Sequence, residues 1–214
     1  MREELRISEI FHSLQGETSR IGLPTVFVRL TGCPMRCGYC DSAYAFTGGK
    51  TRPIADIIEQ IRSYACMTVC VTGGEPLAQK AVHILLKQLC DLGFDVSLET
   101  GGGQPIHTVD PRVSRILDIK TPGSGEMQNM HWPNVEFINA RDEIKFVLVD
   151  RADYEWARDK VIAEQLFMRA PVIFSPVWES LKAVDLAEWV IADHLPVRVQ
   201  VQLHKILWGE KPGV

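Results

Sequence analysis

Short β-branched or alternating runs trade places along this chain with longer stretches whose apolar residues recur at helical spacing. The run TVFVRL (25–30) reads as a strand that leads directly into a cysteine-rich loop. In PIADIIEQIRSYA (53–65), Ile54, Ile57, Ile58 and Ile61 stand at i, i+3, i+4 and i+7, one face of a helix. MTVCVT (67–72) predicts a strand ending at Gly73-Gly74, and LAQKAVHILLKQLCDLG (77–93) a helix with Gly93 as its stop. Strands are expected over 94–100, 115–120 and 143–149, a helix over 153–167, a strand over 171–175, a helix over 180–193 and a last strand over 197–203.

Strands alternating with helices imply right-handed crossovers and an α/β fold around a mostly parallel sheet. Periodicity leaves two forms open, an open doubly wound sheet and one curled into a partial barrel. The unusual segments all follow strands: the cysteines after 25–30, Gly73-Gly74-Glu75 after 67–72, Glu99 to Gly103 after 94–98, and Lys120 to Gly123 after 115–119. Parallel α/β folds gather their sites at the carboxyl ends of strands, so these four loops predict one site on one rim.

Length and composition narrow the class. The 214 residues fit a single domain over 1–214, and 46% hydrophobic with 23% charged residues is ordinary for a globular protein. A net charge of -4 gives no electrostatic reason to expect a nucleic acid or a membrane surface as partner. No apolar run is long enough to span a bilayer, and MREELRISEIFHS lacks the apolar segment of a secretory signal. The expected location is the cytoplasm, where clustered cysteines more often bind metal or do chemistry than form disulfides.

Three of the six cysteines form the pattern Cys33-x3-Cys37-x2-Cys40. A structural zinc site closes with a fourth ligand, and His12, Cys66 and Cys70 are not obvious candidates for it. Iron–sulfur clusters are held by thiolates, and three of them on a [4Fe–4S] cluster leave one iron open. This spacing, with Tyr39 before the last cysteine, resembles the signature of the radical S-adenosylmethionine superfamily. In that superfamily the open iron takes the amino and carboxylate groups of S-adenosylmethionine. TGGEPL (72–77) resembles the element that holds the methionine end, where glycines admit close backbone approach and Glu75 adds charge. Pro76 also suits the first position of a helix, so the same residues make a plain strand–helix turn. At the exit of LDIKTPGSGE (117–126), Asp118 and Lys120 suit ribose hydroxyls and a carboxylate, or an ordinary turn.

FHSLQGET (11–18) before the first strand, VFVRLTGCPMRCGYCDS, DIKTPGSG and the terminal QLHKILWG occur together and in order. Over nearly the whole chain this is similar to the 7-carboxy-7-deazaguanine synthase family of the queuosine and deazapurine pathway. The resemblance implies a partial parallel β/α barrel with trimmed helices. It implies radical-mediated ring contraction of 6-carboxy-5,6,7,8-tetrahydropterin to 7-carboxy-7-deazaguanine with loss of ammonia. It further implies a [4Fe–4S] cluster, S-adenosylmethionine, Mg²⁺, a homodimer, and an electron donor such as a flavodoxin or ferredoxin. By position, Cys33, Cys37 and Cys40 would carry the cluster. Tyr39, Cys40, Asp41, Gly74, Asp118, Ile119 and Lys120 would contact S-adenosylmethionine; Leu14, Gln15, Gly16, Arg29 and Thr72 would contact the pterin.

Arg29 offers a fork for the substrate carboxylate, although a solvated strand residue is the bland alternative. Ser42 stands where the family has a threonine ligand to Mg²⁺, and its hydroxyl keeps the oxygen that Mg²⁺ prefers. Thr18 replaces a glycine usual after QGE, so a different turn is expected there. Glu17 and His204 fit the pocket pattern, and the tail Pro212 to Val214 would approach the substrate. Cys66, Cys70, Cys90 and the remaining histidines read as structural or surface residues. Two other functions share part of the pattern: an activase that places a glycyl radical on a partner protein, and a non-catalytic iron–sulfur carrier, which would need a fourth cysteine.

Overall fold

Alternate residues along the central strands differ in kind: Val26, Val28 and Leu30, Ile144, Phe146 and Leu148 are fully buried aliphatics or aromatics, while Arg29 and Lys145 lie between them. The computed structural model, which describes residues 3–209, 211 and 213, shows what that alternation builds. Nine strands form one sheet in the order β3-β1-β2-β4-β5-β6-β7-β8-β9. They are β1 (Glu4–Leu14), β2 (Pro24–Leu30), β3 (Lys50–Pro53), β4 (Thr68–Gly73), β5 (Asp95–Thr100), β6 (Ser114–Ile119), β7 (Glu143–Leu148), β8 (Val172–Pro176) and β9 (Arg198–Val199). From β2 to β9 every pairing is parallel; β1 pairs antiparallel with both β2 and β3.

The aliphatic face packs against α1 (Ile54–Ser63), α2 (Val82–Asp91), α3 (Arg151–Ala163) and α4 (Ala183–Ala192). In α1 the predicted stripe is buried at Ile54, Ile57 and Ile61, with Ile58 at its partly buried margin. The crossovers β5–β6 and β6–β7 carry no α-helix, only loops and short 3-10 turns. The opposite face is concave. Phe11, Arg29, Thr72, Glu99, Asp118 and Lys145, from β1, β2, β4, β5, β6 and β7, line a single cavity, which a flat sheet could not arrange. The two edge strands do not meet, so the fold is an incomplete β/α barrel with trimmed helices, as expected.

Three elements depart from expectation. The first strand is β1, not 25–30: ELRISEIFHSL hides its alternation because the register with β2 shifts between Ile7 and Glu9. That irregularity changes parity, so Leu5, Ile7 and Ile10 pack with the core while Phe11 faces the cavity. The helix over 77–93 is shorter, with a 3-10 turn at Pro76–Ala78 before α2; Gly93, at φ 85°, follows its end. The strand over 197–203 is only Arg198–Val199, and the chain then forms α5 (Leu203–Trp208). β9 is the sheet edge; Gln200 N–H makes the last bond to β8, at Phe174 O, and the side-chain amides of Gln200 and Gln202 turn onto Thr18, Glu17 and Asp41. Among the described residues, no helix is long and apolar enough to cross a membrane.

Candidate functional site

The loops after β2, β4, β5 and β6 come from four neighbouring strands, so the predicted rim exists. Beneath it lies a cavity of about 620 Å³. Cys33, Cys37 and Cys40 line one wall as free, half-buried thiols. Burial raises all three thiol pKa values above the ordinary cysteine range, so a cation is needed to hold them as thiolates. Among the described residues, no three His, Cys, Asp or Glu side chains converge on a single ion. Three free thiols on one cavity suit a cluster, in which each binds a different iron.

The glycines beside the cysteines have a second, structural role. A Cβ on Gly74 would lie 2.2 Å from Gly32 O and 2.9 Å from Cys33 Cβ, and one on Gly73 would lie 2.3 Å from Leu30 O. The pair makes room for the cysteine loop, not only for a ligand. Gly74 N–H and Glu75 N–H then donate to Leu30 O and Gly32 O at 3.1 and 2.8 Å. Glu75 is corrected likewise: its buried carboxylate accepts from Thr100 Oγ1, Gly101 N and Leu77 N, tying β4 to β5 instead of facing the cavity. Burial raises its pKa against those three donors.

Also on the cavity, Lys120 Nζ donates to Asp118 Oδ2 at 2.8 Å and lies 6.0 Å from the Tyr39 ring centre. Burial opposes the Lys120 charge, but Asp118 and Tyr39, with smaller help from Cys37, together outweigh it and raise the ammonium pKa. Burial also pushes the Tyr39 phenol well up. Tyr39 OH and Asp118 Oδ1 are both buried without a protein partner, and both residues line the cavity. Such unpaired atoms are rare in native interiors and fit a polar ligand between them. Ile119 is fully buried in the core, so any contact it makes with a ligand runs through its main chain.

The far wall is polar. Gln15 Nε2 and Thr72 Oγ1 donate to the two oxygens of Glu99 at 3.3 and 2.8 Å. Leu14 and Gly16 line the same wall, and Gly16 has no space for a Cβ because His204 Nδ1 would be 2.0 Å away. Leu203 N–H donates to Gly16 O, so α5 closes over the Leu14-Gln15-Gly16 segment and His204 lies on the cavity. Arg29 is an interior residue, not a solvated one. Its Nε donates to Glu9 Oε1 at 2.7 Å, its Nη1 reaches Ser42 Oγ at 3.4 Å, and its guanidinium lies 5.8 Å from the Phe11 and Tyr44 ring centres. Burial opposes its charge, but Tyr44 and Glu9 carry the pKa higher still. Ser42 Oγ donates to Asp41 Oδ1 at 2.9 Å and accepts from Arg29 Nη1, which leaves one lone pair for a cation.

Sequence reasoning did not name Glu9, Tyr44, Lys145 or Gln202 as site residues, and placed Glu99 only on the rim, yet all line or brace this cavity. Lys145 pairs with Glu17, whose other oxygen accepts from Gln202 at 2.7 Å. A signal existed: Lys145 interrupts the apolar run EIKFVLV, and a charge mid-strand in a parallel sheet needs a partner. Gly209, Lys211 and Gly213 reach the cavity rim, whereas Pro212 and Val214 lie outside the described residues. Cys70 is fully buried with a thiol pKa far above ordinary; Cys66 and Cys90 stand apart from the cavity.

Comparison with known proteins agrees with this geometry. The Radical SAM superfamily profile matches residues 27–117. The 7-carboxy-7-deazaguanine synthase of Chlorobaculum tepidum is 45% identical over 96% of this chain and 94% of its own length. That of Koribacter versatilis is 39% identical over 98% and 100%. Among solved structures, QueE from Escherichia coli superposes with a TM-score of 0.74 at 22% identity, covering 94% of this chain and 95% of that one. SuiB from Streptococcus suis reaches 0.60 at 15% identity, over 80% of this chain and 46% of that one. At these identities the structural likeness speaks for the fold.

Proposed function

The chain belongs to the 7-carboxy-7-deazaguanine synthase family of radical SAM enzymes, and on that premise we propose that its cavity contracts the ring of 6-carboxy-5,6,7,8-tetrahydropterin to 7-carboxy-7-deazaguanine with loss of ammonia. The observation that carries this reading is one cavity lined both by three free thiols and by the Arg29 guanidinium. When bound, a reduced [4Fe–4S] cluster and S-adenosylmethionine supply a radical that removes a hydrogen atom from the substrate.

The chain's own residues bind and orient. Cys33, Cys37 and Cys40 hold the cluster. Gly74, Tyr39, Asp41 and the Asp118–Lys120 strand end hold S-adenosylmethionine, with the unpaired Tyr39 OH and Asp118 Oδ1 available to its polar groups. Glu9 holds Arg29 by Nε and Nη1 makes a long contact with Ser42 Oγ, which leaves Nη2 and the spare Nη1 hydrogen to meet the substrate carboxylate. The Gln15–Glu99–Thr72 set and the Leu14–Gly16 main chain present alternating donors and acceptors suited to a pterin edge. Ser42 Oγ would offer Mg²⁺ an oxygen donor, the type this ion prefers. The same reading takes residues 1–214 as one radical SAM domain, acting as a cytoplasmic homodimer reduced by a flavodoxin or ferredoxin.

The test is an anaerobic assay of reconstituted protein with reductant, S-adenosylmethionine, Mg²⁺ and carboxytetrahydropterin. Formation of the deazaguanine acid is expected. Cleavage to 5′-deoxyadenosine without that product would reject the substrate and keep the superfamily.

A further inference from the structure

The segment after β6 does more than end a strand. Its residues 121–126 fold back on the cysteine loop: Gly38 N–H donates to Ser124 O at 3.1 Å, and Arg36 N–H donates to Glu126 Oε1 at 2.7 Å. Within the cysteine loop itself the polar contacts are local, Cys40 N–H to Cys37 O and Arg36 Nη1 to the carbonyls of Cys33 and Met35. The middle of that loop is therefore held from outside by the segment after β6.

That segment is anchored at both ends. Asp153, buried on the first turn of α3, accepts from Thr121 Oγ1 and Gly123 N at 2.8 Å and from Val149 N at 3.1 Å. Glu126 takes Asn129 Nδ2 on its second oxygen at 2.5 Å, and its own N–H donates to Ser124 Oγ at 3.0 Å. Glu126 is only 8% exposed. A carboxylate so enclosed is costly unless its oxygens are bonded, and one of the two bonds it makes is to the main chain one residue before Cys37.

We propose that Glu126 is a positioning residue for the metal-binding loop, pre-ordering Cys33 to Cys40 in the metal-free protein so that the three thiols are presented together. This rests on the reading of those cysteines as cluster ligands. In the metal-free wild type, hydrogen exchange should show the Arg36 amide protected, because its acceptor is already in place. After anaerobic reconstitution, Glu126→Ala should lose its cluster to a chelator about tenfold faster than wild type, as when an outer-shell partner of a metal ligand is removed. Glu126→Gln, whose amide oxygen still accepts from Arg36 N–H, should hold iron and sulfide close to the wild-type level.

An unprotected Arg36 amide would overturn the inference even if the alanine variant failed to fold. So would an alanine variant with wild-type cluster lifetime, or a glutamine variant as labile as alanine. A wild type that takes up no cluster would instead remove the cysteine assignment, and the inference with it; the amide protection would then report only loop order.

Discussion

Gln200 holds the backbone of Thr18 from 182 positions away: Thr18 N–H donates to Gln200 Oε1 at 2.6 Å, and Gln200 Nε2 donates to Thr18 O at 2.9 Å. Thr18 has φ 69°, a left-handed conformation unusual for a β-branched residue, and it is buried. Thr18 thus holds a conformation that glycine adopts freely, and the amide clamp offsets the strain. Gln200→Ala should cost about 1–3 kcal/mol by leaving a buried N–H unpaired. Thr18→Gly should lie within about 1 kcal/mol of wild type, since relief of left-handed strain is opposed by the greater chain entropy of glycine. Denaturant melts of both variants check this; a severe loss in Thr18→Gly would contradict it.

Two glycines near the cysteines should respond oppositely. A Cβ at Gly74 would meet Gly32 backbone at 2.2 Å, whereas one at Gly38 would meet nothing within 4 Å. Gly74→Ala should therefore destabilise by about 1–3 kcal/mol through overpacking and lower iron uptake. Gly38→Ala should do neither. Iron content and thermal midpoints, measured side by side, distinguish the two.

Arg29→Lys keeps a positive charge but loses the planar fork. With Nε engaged by Glu9, the remaining edge of the guanidinium is what a carboxylate would meet. KM for the carboxylated pterin should rise about tenfold or more, the loss of a charge-assisted hydrogen bond worth about 1.5–3 kcal/mol. Cleavage of S-adenosylmethionine without substrate should be little changed. Steady-state kinetics with an uncoupled-cleavage control measure both.

Asp41 gives a pH prediction. The protein around it raises its pKa, but the Ser42 hydroxyl and then Lys205 and Lys145 outweigh this, and the net pKa is below the usual carboxylate value. A depressed folded pKa contributes stability above the unfolded value of about 3.9, lost as pH falls through the folded one. Ser42→Ala should move the Asp41 titration upward and bring acid unfolding to higher pH; Ser42→Thr should not. Carboxyl-detected NMR titration of the metal-free protein reads the shift directly, and an unmoved Asp41 would count against the Ser42 hydrogen bond as its cause.

Much of this was legible before any coordinates. The runs at 25–30, 67–72, 94–100, 115–120 and 143–149 are strands within a residue or two, because each is short, β-branched and bounded by turn residues. The cysteine loop and Gly73-Gly74 were recognisable for the same local reason. β1 was not, because its register shift breaks the alternation that would have revealed it. Nor was the end of β9, because alternation in VRVQVQL cannot say that no further neighbour awaits a strand at the sheet edge.

By itself the sequence determined what local spacing can carry: three thiols within eight positions, a glycine pair after a strand, and the alternation that divides each strand between core and interior. Tertiary structure decided which polar groups meet. Glu9 reaches Arg29, Glu99 gathers Gln15 and Thr72, Glu17 pairs with Lys145, and Glu126 holds the loop of Cys37. These pairings depend on strand order and curvature, which bring distant residues onto one concave face. No periodicity along the chain encodes that distance, because it is set by how the sheet closes and not by any single strand.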